Sequence, residues 1–258
     1  MRKSKEKYSP KKIKKTIIVS SIVGISIAAI LISCLVYAYV YVKNICKDIL
    51  KDKSTQELLN GNIINNMQIS SYIYDKDGNQ IGYLYGTENR VEIDYKDLPK
   101  NLVNAIISIE DERFFEHHGV DIKRTSAAVL NYLSNKKDSS FGGSSITQQL
   151  VKNLTDDDET SVTRKIREWY RAFLLETKYN KEDILKIYTN TIYLGENAYG
   201  VQVASKVYFN KPVTDLNLAE SAILAAAIQS PEATNPYTSE KSKERLLNRQ
   251  KVVLKNNN

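Results

Sequence analysis

The sequence predicts a mainly α-helical domain that follows a single N-terminal transmembrane helix and a short β-hairpin linker. Three observations support this prediction. Residues 16–42 contain no charged side chain, residues 72–86 alternate apolar and polar side chains around Asp77-Gly78, and apolar residues recur at helical spacing from Pro99 onwards. A chain of 258 residues has room for one domain of ordinary size and these additional segments.

The first 42 residues have the pattern of a retained membrane anchor. Residues 1–15 hold eight basic residues and one acidic residue, and the apolar run of residues 16–42 is long enough to cross a bilayer. A cleavable signal peptide has a shorter apolar core, so the run predicts a transmembrane anchor. The basic flank predicts a cytoplasmic tail at residues 1–15, with everything after Lys43 outside the cell membrane.

The basic tail accounts for the net charge of +7, because the residues after the span hold equal numbers of basic and acidic side chains. The charge therefore gives no reason to expect a nucleic-acid partner. Cys34 and Cys46 lie within and just beyond the span, and they form neither a disulfide framework nor a metal-site pattern.

Residues 43–98 are predicted to form a stalk and the β-hairpin linker, and residues 99–258 the main domain. Asp77-Gly78 is a strong signal for the hairpin turn. Residues 134–145 are rich in Ser, Gly and Lys, which predicts a loop.

The segment SIEDERFFEHHG, residues 108–119, places a carboxylate at the end of an apolar helix face. Leu102, Ile106 and Glu110 share one face at i, i+4 and i+8. Partial burial near a helix C-terminus disfavours the charged form of Glu110, which suits a general base. The alternative is a frayed helix end with its acidic groups in water. A metal site at His117 and His118 is the weaker interpretation, because neighbours in sequence rarely point at one ion.

The segment GGSSITQQLVKN, residues 142–153, reads as a glycine loop that enters a helix. Ser145 and Gln148 have capping-box spacing, so the helix is predicted to begin near Ser145. Ser144, Gln148 and Lys152 form a polar line along it. A helix N-terminus with a lysine on its face favours an anion site, and an ordinary capped amphipathic helix is the alternative.

Residues 161–178 predict a further helix whose core side holds Val162, Ile166, Trp169 or Tyr170, and Phe173. Arg164 and Lys165 precede Glu168 by four and three residues, which would hold that carboxylate ionised, unlike Glu110. Two carboxylates in opposite environments suit acid–base chemistry, and a basic cluster suits phosphate. The alternative is a surface ladder of ion pairs.

Taken in order, these segments resemble the peptidoglycan glycosyltransferases (glycosyltransferase family 51) of class A penicillin-binding proteins and monofunctional transglycosylases. The first motif of that family, Glu-Asp-x-x-Phe-x-x-His-x-Gly, is matched by Glu110, Asp111, Phe114, His117 and Gly119. The second, Gly-x-Ser-x-Ile-Thr-Gln-Gln, is matched from Gly142 or Gly143 to Gln149, with Ser145 where Thr is common. The third, Arg-Lys-x-x-Glu, is matched by Arg164, Lys165 and Glu168, and the fourth by DILKIYTNTIYLG at residues 183–195.

The resemblance implies a lysozyme-like, two-lobed glycosyltransferase domain, with residues 122–135 and the following loop as a small membrane-contacting lobe. It implies that Glu110 and Glu168 are catalytic, with Glu110 as the general base. The implied substrate-binding residues are Lys152, Arg164, Lys165, Gln148, Gln149, Ser145 and Thr147. The implied supporting residues are Asp111, Phe114, His117 and Gly119.

By the same resemblance the substrates are lipid II and the growing lipid-linked glycan, and the partners are the membrane and other cell-wall synthesis proteins. Glu168 is expected to assist the donor side through either a divalent cation, Mg²⁺ or Mn²⁺, or the basic residues. No organic cofactor is expected.

Two rival interpretations stay open. A glycosidase also uses two carboxylates across a sugar cleft, although hydrolysis leaves no pyrophosphate for the basic residues to hold. The other rival is an inactive membrane-anchored scaffold derived from a truncated class A penicillin-binding protein. The ending LLNRQKVVLKNNN, where family members usually continue with further helices, is the reason to expect a truncated chain.

Overall fold

The structure is a computed structural model that describes residues 10–61, 67, 69–133, 143–155, 157, 159 and 161–256. In chain order the helices are α1 (Pro10–Lys51), α2 (Lys53–Asn60), α3 (Lys100–Glu110), α4 (Ile122–Leu133), α5 (Ile146–Thr155), α6 (Val162–Lys178), α7 (Lys181–Thr191), α8 (Val201–Phe209), α9 (Leu218–Ala227) and α10 (Glu240–Asn256). The strands are β1 (Ser71–Tyr74), β2 (Gln80–Leu84), β3 (Asn89–Arg90) and β4 (Ala198–Tyr199). The prediction of a mainly α-helical chain is confirmed.

The N-terminal unit, Met1–Asp48, consists of α1 as far as the structure describes it. Among the described residues, the helical stretch Ile18–Lys51 alone is long and apolar enough to cross a membrane, by length and composition. Its large apolar side chains are exposed over residues 18–42, the length of a membrane span, whereas Ile49 near its C-terminal end is buried. This agrees with the predicted single apolar anchor.

The second unit, Ile49–Asn258, contains the hydrophobic core. Helix α9 contacts both α3 and α10, and its alanines let these helices approach closely. Helix α5 contacts α6 and α7 on the other side of the core. The site residues lie on α3, α5 and α6 and on the loop between α3 and α4.

The predicted β-hairpin is confirmed, since β1 and β2 pair antiparallel around a turn that contains Gly78. The side chain of Asp75 accepts hydrogen bonds from the amides of Asp77 and Asn79, both at 2.8 Å, which closes the turn. A second, parallel pair, β3 with β4, joins Asn89 to Ala198 and has no local sequence signal. Residues assigned to the stalk also reach the core, because Leu58 of α2 is fully buried.

The predicted core face of α6 is wrong at its two ends, Val162 and Phe173, whereas Ile166 between them is half-buried. Val162 is 79% exposed and Phe173 is 48% exposed, while α6 buries Glu168, Arg171, Ala172 and Leu175. The reason is that the buried polar groups have partners: the Arg171 guanidinium donates to Thr55 at 2.8 Å and forms an ion pair with Asp52 at 2.7 Å.

The predicted small lobe begins as a helix, α4. The loop predicted at residues 134–145 falls mostly outside the described residues, and so does Gly142 of the second motif.

Candidate active site

Glu110 is the last residue of α3, and its side chain is 9% exposed. Gln149 of α5 donates from Nε2 to Glu110 Oε2 at 2.8 Å. Arg249 of α10 places Nη2 3.5 Å from Glu110 Oε1. One carboxylate oxygen is therefore held by an amide, and the other has a longer contact with a cation.

Glu168, on α6, is buried in a denser set of donors. Arg164 Nη1 lies 2.6 Å from Oε2, and Lys165 Nζ forms an ion pair with Oε1. Gln148 donates from Nε2 to the same Oε1 at 2.9 Å. Two cations face one carboxylate, so this cluster has a net positive charge.

Helix α5 supplies one neighbouring glutamine to each carboxylate, Gln148 to Glu168 and Gln149 to Glu110. The predicted capping box orients the first of these. Ser145 Oγ accepts from the main-chain N–H of Gln148 at 3.1 Å, and Gln148 Oε1 accepts from the main-chain N–H of Ser145 at 3.0 Å. Because both ends of the Gln148 amide are bonded, its NH₂ group is directed at Glu168.

Asp111 joins the first motif to the second. Its side chain is fully buried, accepts from the amide of Ile146 at 3.0 Å, and lies 2.9 Å from His117 Nε2. A carboxylate at the first turn of α5 also suits the dipole of that helix. Phe114 is fully buried, with its ring 6.2 Å from that of His117, so these side chains hold the loop in place.

Gly119 brings the same loop against α6. Its φ is +82°, and a Cβ at this position would lie 2.6 Å from the carbonyl carbon and oxygen of Ala172. Real Cβ atoms do not approach a backbone so closely, and a side chain is also disfavoured at this φ. Glycine is therefore required at position 119, because the loop meets α6 at Ala172, one turn beyond Glu168.

Three predicted substrate-binding residues have other environments. Ser145 donates to the carbonyl of Gly119 and Thr147 to the carboxylate of Glu176, so both hydroxyls are bonded inside the protein. Lys152 is exposed on α5. Their roles toward substrate stay predictions, as do those of the other motif residues.

Arg249 and Tyr188 complete the surroundings of Glu110, and the sequence assigned chemistry to neither. The Tyr188 hydroxyl donates to Gln149 Oε1 at 2.9 Å. Burial raises the pKa of Tyr188 well above its usual value, and the charges of Glu110 and Asp111 raise it further. Burial lowers the pKa of Arg249, and Glu110 partly offsets this. Neither residue lies within a turn of Glu110 in sequence, so no local spacing could have found it.

The residues around Glu168 do not fit a divalent cation. Both of its oxygens are engaged by Arg164, Lys165 and Gln148, whereas Mg²⁺ or Mn²⁺ needs several available oxygen ligands. Among the described residues, no group of three or more His, Cys, Asp and Glu side chains is placed to share an ion. The cation stays an expectation.

The chain is similar to known penicillin-binding proteins. Penicillin-binding protein 1A of Clostridium botulinum (strain Langeland) is 48% identical over 71% of this chain and 23% of its own length. Penicillin-binding protein 1F of Bacillus subtilis is 41% identical over 69% of this chain and 25% of its own length. The chain thus spans about a quarter of the curated relatives it matches.

Among solved structures, penicillin-binding protein 1A of Haemophilus influenzae is 24% identical, with a TM-score of 0.37 over 74% of this chain and 18% of that chain. The family model described as Transglycosylase matches residues 77–258, which include every motif residue named above. The chain therefore belongs to the transglycosylase family.

Proposed function

We propose that this protein is a peptidoglycan glycosyltransferase that polymerises lipid II into β-1,4-linked glycan strands for the cell wall. The observation that carries the proposal is the pairing of two buried carboxylates with adjacent glutamines of α5. Glu110 has one amide donor and one distant cation, and Glu168 has two close cations. Family membership and the penicillin-binding relatives support the same reaction class.

In the proposed reaction Glu110 is the general base. Its carboxylate takes the proton from the 4-hydroxyl of the GlcNAc of an incoming lipid II. The hydroxyl oxygen attacks C1 of the MurNAc at the end of the growing chain, and the bond from C1 to the pyrophosphate breaks. Attack from the opposite face converts the α-linked donor into a β-1,4 glycosidic bond, and undecaprenyl pyrophosphate leaves with the bonding electrons.

The cluster around Glu168 serves the leaving group. Negative charge grows on the pyrophosphate as its bond to the sugar breaks, and fixed cations in a site that excludes water stabilise that charge. Arg164 and Lys165 would supply this positive charge, together with Lys152 on α5. Glu168 holds the first two in position, since both lie on its carboxylate oxygens.

The membrane anchor suits this chemistry, because both sugar substrates carry a lipid tail. In the proposal α1 crosses the cell membrane once, residues 1–15 lie in the cytoplasm, and the second unit works outside. Other cell-wall synthesis proteins are its expected partners.

The test is to give the detergent-solubilised chain fluorescent lipid II and to follow the product on a gel. Polymer that a muramidase converts to disaccharide units supports the proposal. Release of sugar from preformed glycan, with lipid II left intact, would support the glycosidase instead. A folded protein that changes neither substrate would support the scaffold.

A further inference from the structure

Tyr188 begins a chain of two hydrogen bonds that ends on the proposed base. Its side chain is fully buried on α7, and its hydroxyl lies 2.9 Å from Gln149 Oε1. Gln149 Nε2 in turn lies 2.8 Å from Glu110 Oε2. We infer that Tyr188 is a positioning residue that orients the Gln149 amide and, through it, the Glu110 carboxylate. The inference rests on the proposed function, since it assigns Tyr188 a role in the base's work.

The two ends of a glutamine amide have almost the same shape but opposite hydrogen-bonding character. If the amide of Gln149 were turned over, its oxygen would face the Glu110 carboxylate. The buried hydroxyl of Tyr188 would then lose its acceptor, which is costly away from water. The phenol therefore favours the orientation in which Gln149 donates to Glu110.

The phenol also keeps its donor character at any working pH. Burial raises the pKa of Tyr188 well above its usual value, and the neighbouring charges of Glu110 and Asp111 act in the same direction. The hydroxyl therefore stays protonated while Glu110 changes its charge during turnover.

The chain leaves the two oxygens of Glu110 unequal. Oε2 accepts from the amide at 2.8 Å, whereas the Arg249 guanidinium lies farther from Oε1, at 3.5 Å. We assign proton uptake to Oε1. Because the Gln149 amide holds Oε2, it also fixes the direction in which Oε1 points. The other charged groups around Glu110 are Asp111, which follows it, and Arg124, which donates to its main-chain carbonyl at 2.6 Å. Removing the hydroxyl of Tyr188 alters none of these charges.

The test compares Tyr188→Phe, Gln149→Ala and the double variant with the parent on lipid II. A lost hydrogen bond between two neutral groups predicts a fall in kcat of about threefold to tenfold for Tyr188→Phe, with KM within about twofold. The double variant should be no slower than Gln149→Ala alone, because both substitutions break one chain.

Tyr193→Phe is the matched control, since the Tyr193 hydroxyl also donates to a side-chain oxygen, here of the Glu232 carboxylate at 2.7 Å, but at the surface. Its rate should stay within about twofold of the parent. An unchanged kcat in Tyr188→Phe, or losses that multiply in the double variant, would overturn the inference and leave the proposed function standing.

A parent that makes no polymer would instead contradict the proposed function, and the positioning can then be measured without turnover. Nitrogen-15 NMR of the full chain in detergent, with labelled glutamine, follows the side-chain amide of Gln149, whose signal Gln149→Ala identifies. Tyr188→Phe removes the donor to Gln149 Oε1, so the hydrogen bond from Nε2 to Glu110 should loosen and the amide proton signal should move upfield. A Gln149 signal that keeps its position would refute the positioning role.

Discussion

Gly119→Ala tests the close approach between the first-motif loop and α6. The added methyl group would lie 2.6 Å from the carbonyl group of Ala172, and the backbone would keep a φ of +82°. A left-handed conformation costs a non-glycine residue roughly 1–2 kcal/mol. Forcing a methyl group into a packed backbone contact costs about 1–3 kcal/mol.

The expected loss in the free energy of unfolding is therefore about 2–5 kcal/mol, a large part of the roughly 5–15 kcal/mol of a typical domain. Denaturant unfolding followed by tryptophan fluorescence measures it. The chain has a single tryptophan, Trp169, which lies on α6 one turn before the contact.

Gly78→Ala is the matched control for the backbone cost. Gly78 has the same φ of +82°, but a Cβ there meets nothing within 4 Å. Its loss should not exceed roughly 1–2 kcal/mol. If Gly119→Ala loses no more than Gly78→Ala, the close approach is not what requires glycine at position 119, and the reasoning fails.

Three further predictions concern the buried charges. Arg171→Met should lower the free energy of unfolding by about 1–3 kcal/mol in a denaturant titration, because the buried Thr55 hydroxyl and the part-exposed Asp52 carboxylate lose a charged donor. Burial would raise the pKa of Asp121, but the hydrogen bonds from the Arg124 main-chain N–H and the Arg113 guanidinium outweigh it and lower that pKa. The ionised carboxylate therefore stabilises the folded state above pH ~4, and this stabilisation is lost as the pH falls below that value. The melting temperature of Asp121→Asn should depend less on pH in this range. Lys152→Ala should slow polymerisation of lipid II about tenfold or more, measured as kcat, if that lysine stabilises the leaving group.

The sequence predicted those parts of the fold that depend on neighbours. The capping pair of Ser145 and Gln148 lies within three residues and forms as expected. The hairpin turn at Gly78 is equally local. Such signals are readable because the donor and its acceptor are a fixed number of bonds apart.

The rest of the site depends on contacts between distant segments. Arg249 lies 139 residues from Glu110, and Arg171 lies 116 residues from Thr55. Apolar spacing placed Phe173 in the core, whereas the structure buries Arg171, because its partners come from α2. The apolar pattern of one helix cannot predict that a distant segment will supply the partners that stabilise a buried charge.

The account depends most directly on Glu110 acting as the base. The decisive measurement is the single-turnover rate of lipid II polymerisation by the parent, by Glu110→Gln and by Glu116→Gln. Glu116 is exposed in the same loop, so its substitution makes the same chemical change outside the site. The account predicts a loss of about a hundredfold or more for Glu110→Gln and less than about twofold for the control. A Glu110→Gln variant that is folded and polymerises at the parent's rate would contradict it.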